Sequence, residues 1–199
     1  MSLPIHTTAG NHAGAKSGRG LEVYATPAYA VEALVRAEPV PQVCWEACGP
    51  ETSAIAMVLR AHGRRVVCTD IATDGVDFRD RAKAPRGAQA IVANPPFSLA
   101  ADFVRHGLKL VPKVVILERI QFLESDDRTD VIEGGDLARV LVFADRVPRM
   151  HKAGWNGKRS SPAMCLAWFI FERGHLLQPV LKRIRCRSRP YAAHLSDAP

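Results

Sequence analysis

The tetrapeptide Asn94-Pro95-Pro96-Phe97 combines residue types that can hold a flat ring bearing an amino group. Proline fixes φ and has no backbone N–H, so neighbouring carbonyl oxygens remain available as acceptors. The Asn94 side-chain oxygen and the Pro95 carbonyl could accept both hydrogens of an exocyclic amino group, while Phe97 stacks on the ring. The alternative is a strand that ends in a tight Pro-Pro turn with a core phenylalanine. The position between a predicted strand and a predicted helix, in a basic chain, favours the first interpretation.

Polar residues also follow the two preceding predicted strands. Asp70 comes directly after the apolar segment 65–69, and Asp77-Phe78 comes seven residues later. A turn at 45–51, with the sequence Trp-Glu-Ala-Cys-Gly-Pro-Glu, follows the segment 42–46. Carboxylates at such positions could bind hydroxyl groups or a base. If these segments meet at one edge of a sheet, they form a small-molecule site.

The elements that must position these residues alternate from residue 24 onward. Thr26 and Pro27 would cap and start the first helix. The other predicted elements are strands at 42–46, 65–69, 88–93, 113–117, 141–143 and 164–171, and helices at 52–62 and 98–110. Strands separated by helices form parallel βαβ units, and strands that are apolar on both faces need cover on both sides. The sequence therefore predicts an α/β three-layer sandwich with a mostly parallel sheet, whose ligands bind beyond the carboxyl ends of the strands.

Asn94-Pro95-Pro96-Phe97 resembles the catalytic motif of S-adenosylmethionine-dependent N6-adenine DNA methyltransferases. Tyr24-Ala25-Thr26-Pro27 resembles the segment that flanks the methionine moiety of the cofactor in this family, and Trp45-Glu46-Ala47-Cys48-Gly49 resembles its Glu-Pro-Ala-Cys-Gly-x-Gly loop. Asp70 matches the acidic residue that holds the ribose hydroxyls, and Asp77-Phe78 resembles the pair that contacts the cofactor adenine. The motifs follow the order of the subgroup whose catalytic motif comes last. The span from about Tyr24 to Phe171 is similar to small, phage-like members.

This resemblance implies a Rossmann-like class I methyltransferase fold, S-adenosylmethionine as cofactor, and methyl transfer to N6 of adenine in DNA. The target base would be flipped onto Phe97 and would attack the methyl group in line, without a covalent intermediate or a metal. The implied catalytic residues are Asn94, Pro95, Pro96 and Phe97. The implied cofactor-binding residues are Tyr24, Thr26, Pro27, Glu46, Ala47, Cys48, Gly49, Asp70, Asp77 and Phe78.

The cofactor loop departs from the family pattern. The proline before the Ala-Cys pair is absent, and the second glycine is replaced around Pro50 and Glu51. That glycine permits close approach of the backbone to the cofactor, and an added carboxylate would repel the methionine carboxylate. The departure therefore predicts weakened or lost cofactor binding. It leaves open a catalytically decayed relative that only binds nucleic acid.

The charge balance favours a polyanionic partner. The 199 residues include 27 Lys or Arg and 20 Asp or Glu, which gives a net charge of +7. Phosphate contacts and counterion release make DNA or RNA the expected partner. The predicted nucleic-acid-binding residues are Trp155, Lys158 and Arg159, in a polar loop at 149–161, and Lys182, Arg183 and Arg185 near the C-terminus. The alternatives are a surface loop with Trp155 packed on the sheet edge and a solvated tail.

We predict a flexible arm at 1–20, a methyltransferase domain at 21–175 and a basic tail at 176–199. No apolar run has transmembrane length and the N-terminus lacks the features of a secretory signal, which predicts a cytoplasmic protein without a membrane partner. The five cysteines contain no Cys-x-x-Cys pair, so no metal site is expected. Motifs of the Asn-Pro-Pro-aromatic type also resemble methyltransferases that act on RNA bases or on protein glutamine. The basic charge favours nucleic acid over protein but does not separate DNA from RNA.

Overall fold

A computed structural model describes residues 25–145 and 165–186 of the chain. Within these residues, seven strands form one sheet. The strands are β1 (Val43–Glu46), β2 (Arg65–Cys68), β3 (Ala90–Ala93), β4 (Lys113–Arg119), β5 (Leu137–Phe143), β6 (Leu166–Glu172) and β7 (Val180–Ile184). The α-helices are α1 (Ala28–Ala37), α2 (Ala54–Ala61), α3 (Ile71–Asp74), α4 (Ala100–Leu110) and α5 (Thr129–Ile132).

The sheet has the strand order β2-β1-β3-β4-β6-β5-β7 and is mostly parallel. β1 pairs in parallel with β2 and β3, β3 with β4, and β5 with β7. Of the described strands, only β6 runs antiparallel, between β4 and β5. Glu46 pairs with Cys68, and Ala93 pairs with Ile116, so the carboxyl ends of β1 to β4 meet at one edge of the sheet. This topology confirms the predicted α/β sandwich.

Alternate strand residues support hydrophobic cores on both faces of the sheet. On one face, Val92 and Trp168 share a core with α1 and α2. On the other face, Ile91 and Phe169 share a core with α4. The Trp168 indole N–H donates to the Ala30 carbonyl at 2.9 Å, which ties the centre of the sheet to α1. The helices therefore form two outer layers around the sheet, as strands apolar on both faces require.

The helix starts near the cavity differ in how they are capped. Pro27 precedes α1 with extended backbone and no side-chain capping bond, so the prediction that Thr26 caps this helix is wrong. At α2, the Ser53 hydroxyl oxygen accepts from the Ala56 N–H at 3.0 Å. Asp70 caps α3 in the same way. The starts of α2 and α3 are therefore stabilised by polar side chains from the loops after β1 and β2.

The C-terminal part of the sheet extends beyond the prediction. β5 begins at Leu137 rather than at Leu141, and it pairs with β7 from Arg139–Val180 to Phe143–Ile184. β7 lies inside the segment 176–199, for which the sequence predicts a basic tail, and it is part of the sheet. Its first four residues are exposed and include two adjacent cations, which explains why it gave no apolar pattern. The predicted arm at 1–20 lies outside the described residues.

None of the helices in segments 25–145 and 165–186 has the length and apolar character needed to cross a bilayer.

Candidate active site

A cavity of about 460 Å³ lies at the edge of the sheet where β1, β2 and β3 end. This volume is typical of sites that bind small molecules. The lining includes residues from every predicted cofactor segment and from the tetrapeptide. The predicted site residues in the lining are Thr26, Glu46, Ala47, Cys48, Gly49, Asp70, Asp77, Phe78, Asn94 and Pro96.

Glu46, the last residue of β1, places a buried carboxyl group in the cavity wall. It is 3% exposed, its Oε2 accepts from the Ser53 hydroxyl, and the Cys68 sulfur lies 3.9 Å from the same oxygen. Burial raises the pKa of Glu46 to about 7, although the Ser53 hydrogen bond acts to lower it. This carboxyl group therefore changes charge near neutral pH.

Gly49 leaves the space that the Glu46 side chain occupies. A Cβ at Gly49 would overlap Glu46 Oε1 and would lie 2.7 Å from Glu46 Cδ. The Gly49 N–H donates to the Thr69 carbonyl at 3.3 Å, which connects the loop after β1 to the end of β2. Any side chain at position 49 would therefore push Glu46 from its place.

Glu51, which the sequence places in the predicted cofactor loop, does not line the cavity. Its carboxylate forms an ion pair with Arg60 of α2, and its carbonyl accepts from the same guanidinium at 2.9 Å. Arg60 also donates to the Val66 carbonyl at 2.9 Å, which anchors the guanidinium beside β2. The pairing reduces the repulsion that we expected between Glu51 and a bound carboxylate. Pro50 lines the cavity in its place.

Asp70 lies in the lining directly after β2. Its Oδ1 accepts from the Ala72 N–H at 2.8 Å, so this oxygen caps α3. An ionised carboxylate has two acceptor oxygens. Asp70 can therefore cap α3 through Oδ1 and, at the same time, bind a hydroxyl group of a ligand.

Asp77 and Phe78 form the wall of the cavity next to α4. Arg79 binds Asp77 through its backbone N–H at 2.9 Å and its guanidinium at 2.7 Å, and the side-chain hydrogen bond is the main reason that the pKa of Asp77 is lowered. Phe78 is 4% exposed and stacks on Phe103, with ring centroids 4.3 Å apart. The wall thus offers a charged acceptor beside a fixed aromatic ring.

Cys48 connects the loop after β1 to the end of β3. Its thiol forms a hydrogen bond with the backbone of Asn94. Burial raises the pKa of Cys48 far above its ordinary value, so the thiol stays neutral. Because the thiolate is the reactive form of cysteine, Cys48 acts as a spacer between the two loops rather than as a nucleophile.

The tetrapeptide divides between the cavity and the protein interior. Asn94 and Pro96 line the cavity, and Pro95 is buried. Phe97 begins a 3-10 turn (Phe97–Leu99), packs against the core next to α1 and α2, and is outside the cavity lining. The guanidinium carbon of Arg119, the last residue of β4, lies 4.2 Å from the Phe97 ring centroid. Asn94 therefore faces the same cavity as the carboxylates, while Phe97 flanks it.

Two predicted cofactor residues remain, and the structure describes one of them. Pro27 precedes α1 outside the lining, whereas its neighbour Thr26 is in it. Tyr24 lies outside the described residues.

The predicted nucleic-acid-binding residues are not at the cavity where the structure describes them. Lys182 and Arg183 lie on β7, and Arg185 follows it. β7 is four strand positions from β3 in the sheet order, a distance of about 19 Å. The other three, Trp155, Lys158 and Arg159, lie outside the described residues.

Sequence reasoning missed several cavity residues that come from helical segments. These are Ser53, Ala54, Ile71, Ala72, Leu99 and Phe103. Ser53 carried a usable signal, because serine before an apolar helix is a favoured cap. The others are apolar, and such residues are indistinguishable from core residues in sequence.

The carboxylates and the aromatic ring in the cavity wall fit S-adenosylmethionine. Glu46, Asp70 and Asp77 supply carboxylates for cationic, hydroxyl and amino groups, and Phe78 supplies an apolar wall for a ring. Among residues 25–145 and 165–186, no three His, Cys, Asp or Glu side chains are grouped so that they could hold a metal ion.

Comparison with known proteins identifies the fold. No protein-family model and no curated protein matches the sequence. Among solved structures, the crystal structure of a Pyrococcus horikoshii protein proposed to be an RNA methyltransferase is similar, with a TM-score of 0.53 and 15% sequence identity. The match covers 80% of this chain and 91% of that chain. At this level of identity the similarity shows the fold alone, so the chain has a Rossmann-like α/β fold of the methyltransferase type.

Proposed function

We propose that this protein transfers a methyl group from S-adenosylmethionine to the N6 amino group of adenine in DNA. One observation carries the proposal. Asn94 and Pro96 share a single cavity with Glu46, Asp70 and Asp77, so an acceptor for an amino group lies beside acceptors suited to the cofactor. The fold has its carboxyl strand ends at this cavity, where ligands of open α/β sheets bind.

On the cofactor side, three carboxylates and one ring have separate roles. Glu46 faces the cationic methionine end, Asp70 binds the ribose hydroxyls, and Asp77 accepts from the adenine amino group beside Phe78. When bound, the cofactor supplies an electrophilic methyl group on its sulfonium. Glu51 does not oppose this binding, because Arg60 neutralises its charge.

On the substrate side, Asn94 orients the target amino group. The Asn94 side-chain oxygen accepts one of its hydrogens, which directs the nitrogen lone pair toward the methyl group, whereas Pro95 is buried outside the cavity lining. The Pro96 carbonyl already accepts from the Leu99 N–H at 2.8 Å, so it holds the turn rather than the base. Preorganised acceptors of this kind accelerate a reaction through orientation and electrostatics, without a covalent intermediate.

The distribution of charge supports a nucleic-acid substrate. The described residues contain equal numbers of basic and acidic side chains, so the net charge of +7 comes entirely from the other segments. Segment 146–164 contains five Lys or Arg and no Asp or Glu. The strand before this segment, β5, ends at the edge of the sheet that holds the cavity. The strand after it, β6, begins at the same edge. The basic segment 146–164 is therefore connected to the fold at the edge of the sheet that holds the proposed active site.

Transfer of a labelled methyl group tests this function. Purified protein is incubated with methyl-labelled S-adenosylmethionine and adenine-containing DNA, and label in the DNA is counted. Asn94→Ala should reduce the rate by about 10²-fold or more, as expected for loss of a preorganised group, with little change in cofactor affinity. Ser98→Ala is the matched control, because Ser98 is exposed in the same turn. Equal rates for Asn94→Ala and the unaltered protein would contradict the assignment.

RNA is the second candidate substrate. The structural similarity to a protein proposed to be an RNA methyltransferase favours it. The same assay with matched DNA and RNA strands separates the two. Cofactor binding without transfer to either strand would favour a protein substrate. Strand binding without cofactor binding would favour a relative that has lost its activity.

A further inference from the structure

The Arg119 guanidinium lies over the ring of Phe97, 4.2 Å from its centroid. Phe97 is the residue on which a flipped base would stack. Its ring also packs against the core next to α1 and α2. In the free protein, the Arg119 guanidinium thus covers the Phe97 ring on which the base would stack.

This contact can open without disturbing the fold. The Arg119 side chain is 43% exposed. A cation–π contact at an exposed site is worth about two- to fivefold in an equilibrium constant. A base can therefore displace the guanidinium at little loss of affinity.

The backbone of Arg119 stays in place during such a displacement. Arg119 pairs with Leu166 of β6 at the end of β4, and its N–H donates to Glu118 Oε1 at 2.9 Å. The same carboxylate oxygen lies 3.8 Å from Arg119 Nε, which is a loose ion pair. Only the Arg119 side chain would move. Because its backbone is fixed, the guanidinium would stay next to a base that stacks on Phe97.

A nucleotide stacked on Phe97 would bring phosphate groups to this guanidinium. A base within a strand carries a backbone phosphate on each side of its sugar. Guanidinium binds phosphate through paired, charge-assisted hydrogen bonds that are stronger than an exposed contact with a ring. The displaced guanidinium therefore has a better partner in the complex than in the free protein.

We propose that Arg119 is a substrate-contact residue. Its guanidinium covers the Phe97 ring in the free protein, moves off the ring when the target base stacks there, and then binds a phosphate beside the flipped nucleotide. This inference rests on the proposed function, since it assumes that a base stacks on Phe97. It makes phosphate next to the target base part of what the site recognises.

Strand binding tests the inference separately from methyl transfer. The probes are a short fluorescein-labelled DNA strand with one adenine and the same strand with uncharged methylphosphonate linkages on both sides of that adenine. Binding is measured by fluorescence anisotropy at several salt concentrations, with S-adenosylhomocysteine present throughout to fill the cofactor site. The proteins are the unaltered chain, Arg119→Ala and Arg128→Ala. Arg128 is the matched control, because its guanidinium carbon lies 5.0 Å from the Phe122 centroid and that ring is buried.

Arg119→Ala should bind the phosphate strand about tenfold more weakly, as expected for a lost hydrogen bond to a charged group. The slope of log affinity against log salt should fall in magnitude by about 0.7, the value for one phosphate contact on a single strand. The methylphosphonate strand should bind Arg119→Ala and the unaltered protein equally, and Arg128→Ala should behave as the unaltered protein does.

An unchanged salt slope, or an equal loss on both strands, would overturn the phosphate contact. If the predicted binding pattern holds and no methyl is transferred, the proposed function fails while the role of Arg119 stands. If methyl transfer occurs and Arg119→Ala binds as the unaltered protein does, only the role of Arg119 fails. A chain that binds neither strand overturns both.

Discussion

The Glu51 carboxylate is ion-paired with Arg60 of α2. Glu51 belongs to the loop after β1, and it stays outside the cavity that this loop lines. The pair is partly exposed, so it contributes little to stability. Its effect is on the ligand site, where it cancels a charge that would oppose a carboxylate. Arg60 of α2 therefore offsets the negative charge that Glu51 adds to the loop after β1.

Removing Arg60 should weaken S-adenosylmethionine binding through Glu51. In Arg60→Met, the unpaired carboxylate should reduce the affinity about fivefold, the size of a through-space repulsion near a protein surface. Titration calorimetry measures this change. Glu51→Gln in the same background should restore the affinity, while Glu51→Gln alone should leave it unchanged. If the double variant binds as weakly as Arg60→Met, the loss comes from the bonds of Arg60 to the backbone instead.

The orientation of Glu51 illustrates what the sequence could not supply. Its partner is nine residues away and on a helix, and sequence spacing does not fix the geometry between a loop and the helix that follows it. The ends of β1, β2 and β3 were predictable, because each strand ends at or directly before a polar residue, namely Glu46, Thr69 and Asn94. Asn94, Asp70 and Glu46 therefore reached the same cavity as expected from the rule for open α/β sheets.

The position of β7 in the sheet, by contrast, could not be predicted from the sequence. β7 is an edge strand that carries Lys182 and Arg183 next to each other, and such charges are common on edges because they discourage pairing with other chains. Its membership of the sheet depends on pairing with β5, about 40 residues earlier, which no local pattern reveals. Phe97 was also only partly predictable. Its aromatic character indicated stacking, but the cation that covers it comes from β4.

The raised pKa of Glu46 predicts a pH dependence of stability. Its value in the folded protein is about 7 against an ordinary 4.5, so folding favours the protonated form. The contribution of Glu46 to stability is fully present below pH 4.5 and is lost as the pH rises through about 7. The loss is at most about 3 kcal/mol. Denaturant unfolding of Glu46→Gln, which resembles the protonated form, should show a smaller decrease in stability over this range than the unaltered protein does.

The same carboxyl group should make cofactor binding depend on pH in the opposite direction. A cationic ligand beside Glu46 favours the ionised form, so binding at acidic pH requires loss of a proton. The affinity for S-adenosylmethionine should increase by up to about tenfold per pH unit below pH 7 and level off above it. Glu46→Gln should bind weakly and without this dependence. A parallel pH profile in the two proteins would mean that another group titrates.

Gly49→Ala should destabilise the loop by displacing Glu46. The added methyl group would overlap Glu46 Oε1, and the carboxyl group is buried and fixed by Ser53. Overpacking of this kind costs about 1–3 kcal/mol. The combination of Gly49→Ala with Glu46→Ala removes the overlap, so it should be less destabilised than the sum of the two single variants. Thermal unfolding of the four proteins measures the coupling, and simple additivity would show that the loop accommodates the methyl group elsewhere.

Glu38→Gln should lower stability strongly without affecting the cavity. Glu38 is 4% exposed, and its carboxylate binds Lys113 Nζ at 2.6 Å and Arg139 Nε at 2.8 Å. Lys113 begins β4, so this cluster lies at the opposite edge of the sheet from the cavity. Loss of the charge leaves two partly buried cations with a weakened partner.

Removal of one member of a buried ion pair typically destabilises by about 3–5 kcal/mol. The matched control is Glu32→Gln, which removes an exposed carboxylate paired with His62 and should change stability by less than about 1 kcal/mol. Denaturant unfolding compares the two variants. At a temperature where both remain folded, both should bind S-adenosylmethionine as the unaltered protein does, because neither carboxylate is in the cavity lining. Weaker cofactor binding by folded Glu38→Gln would show instead that the two edges of the sheet are coupled.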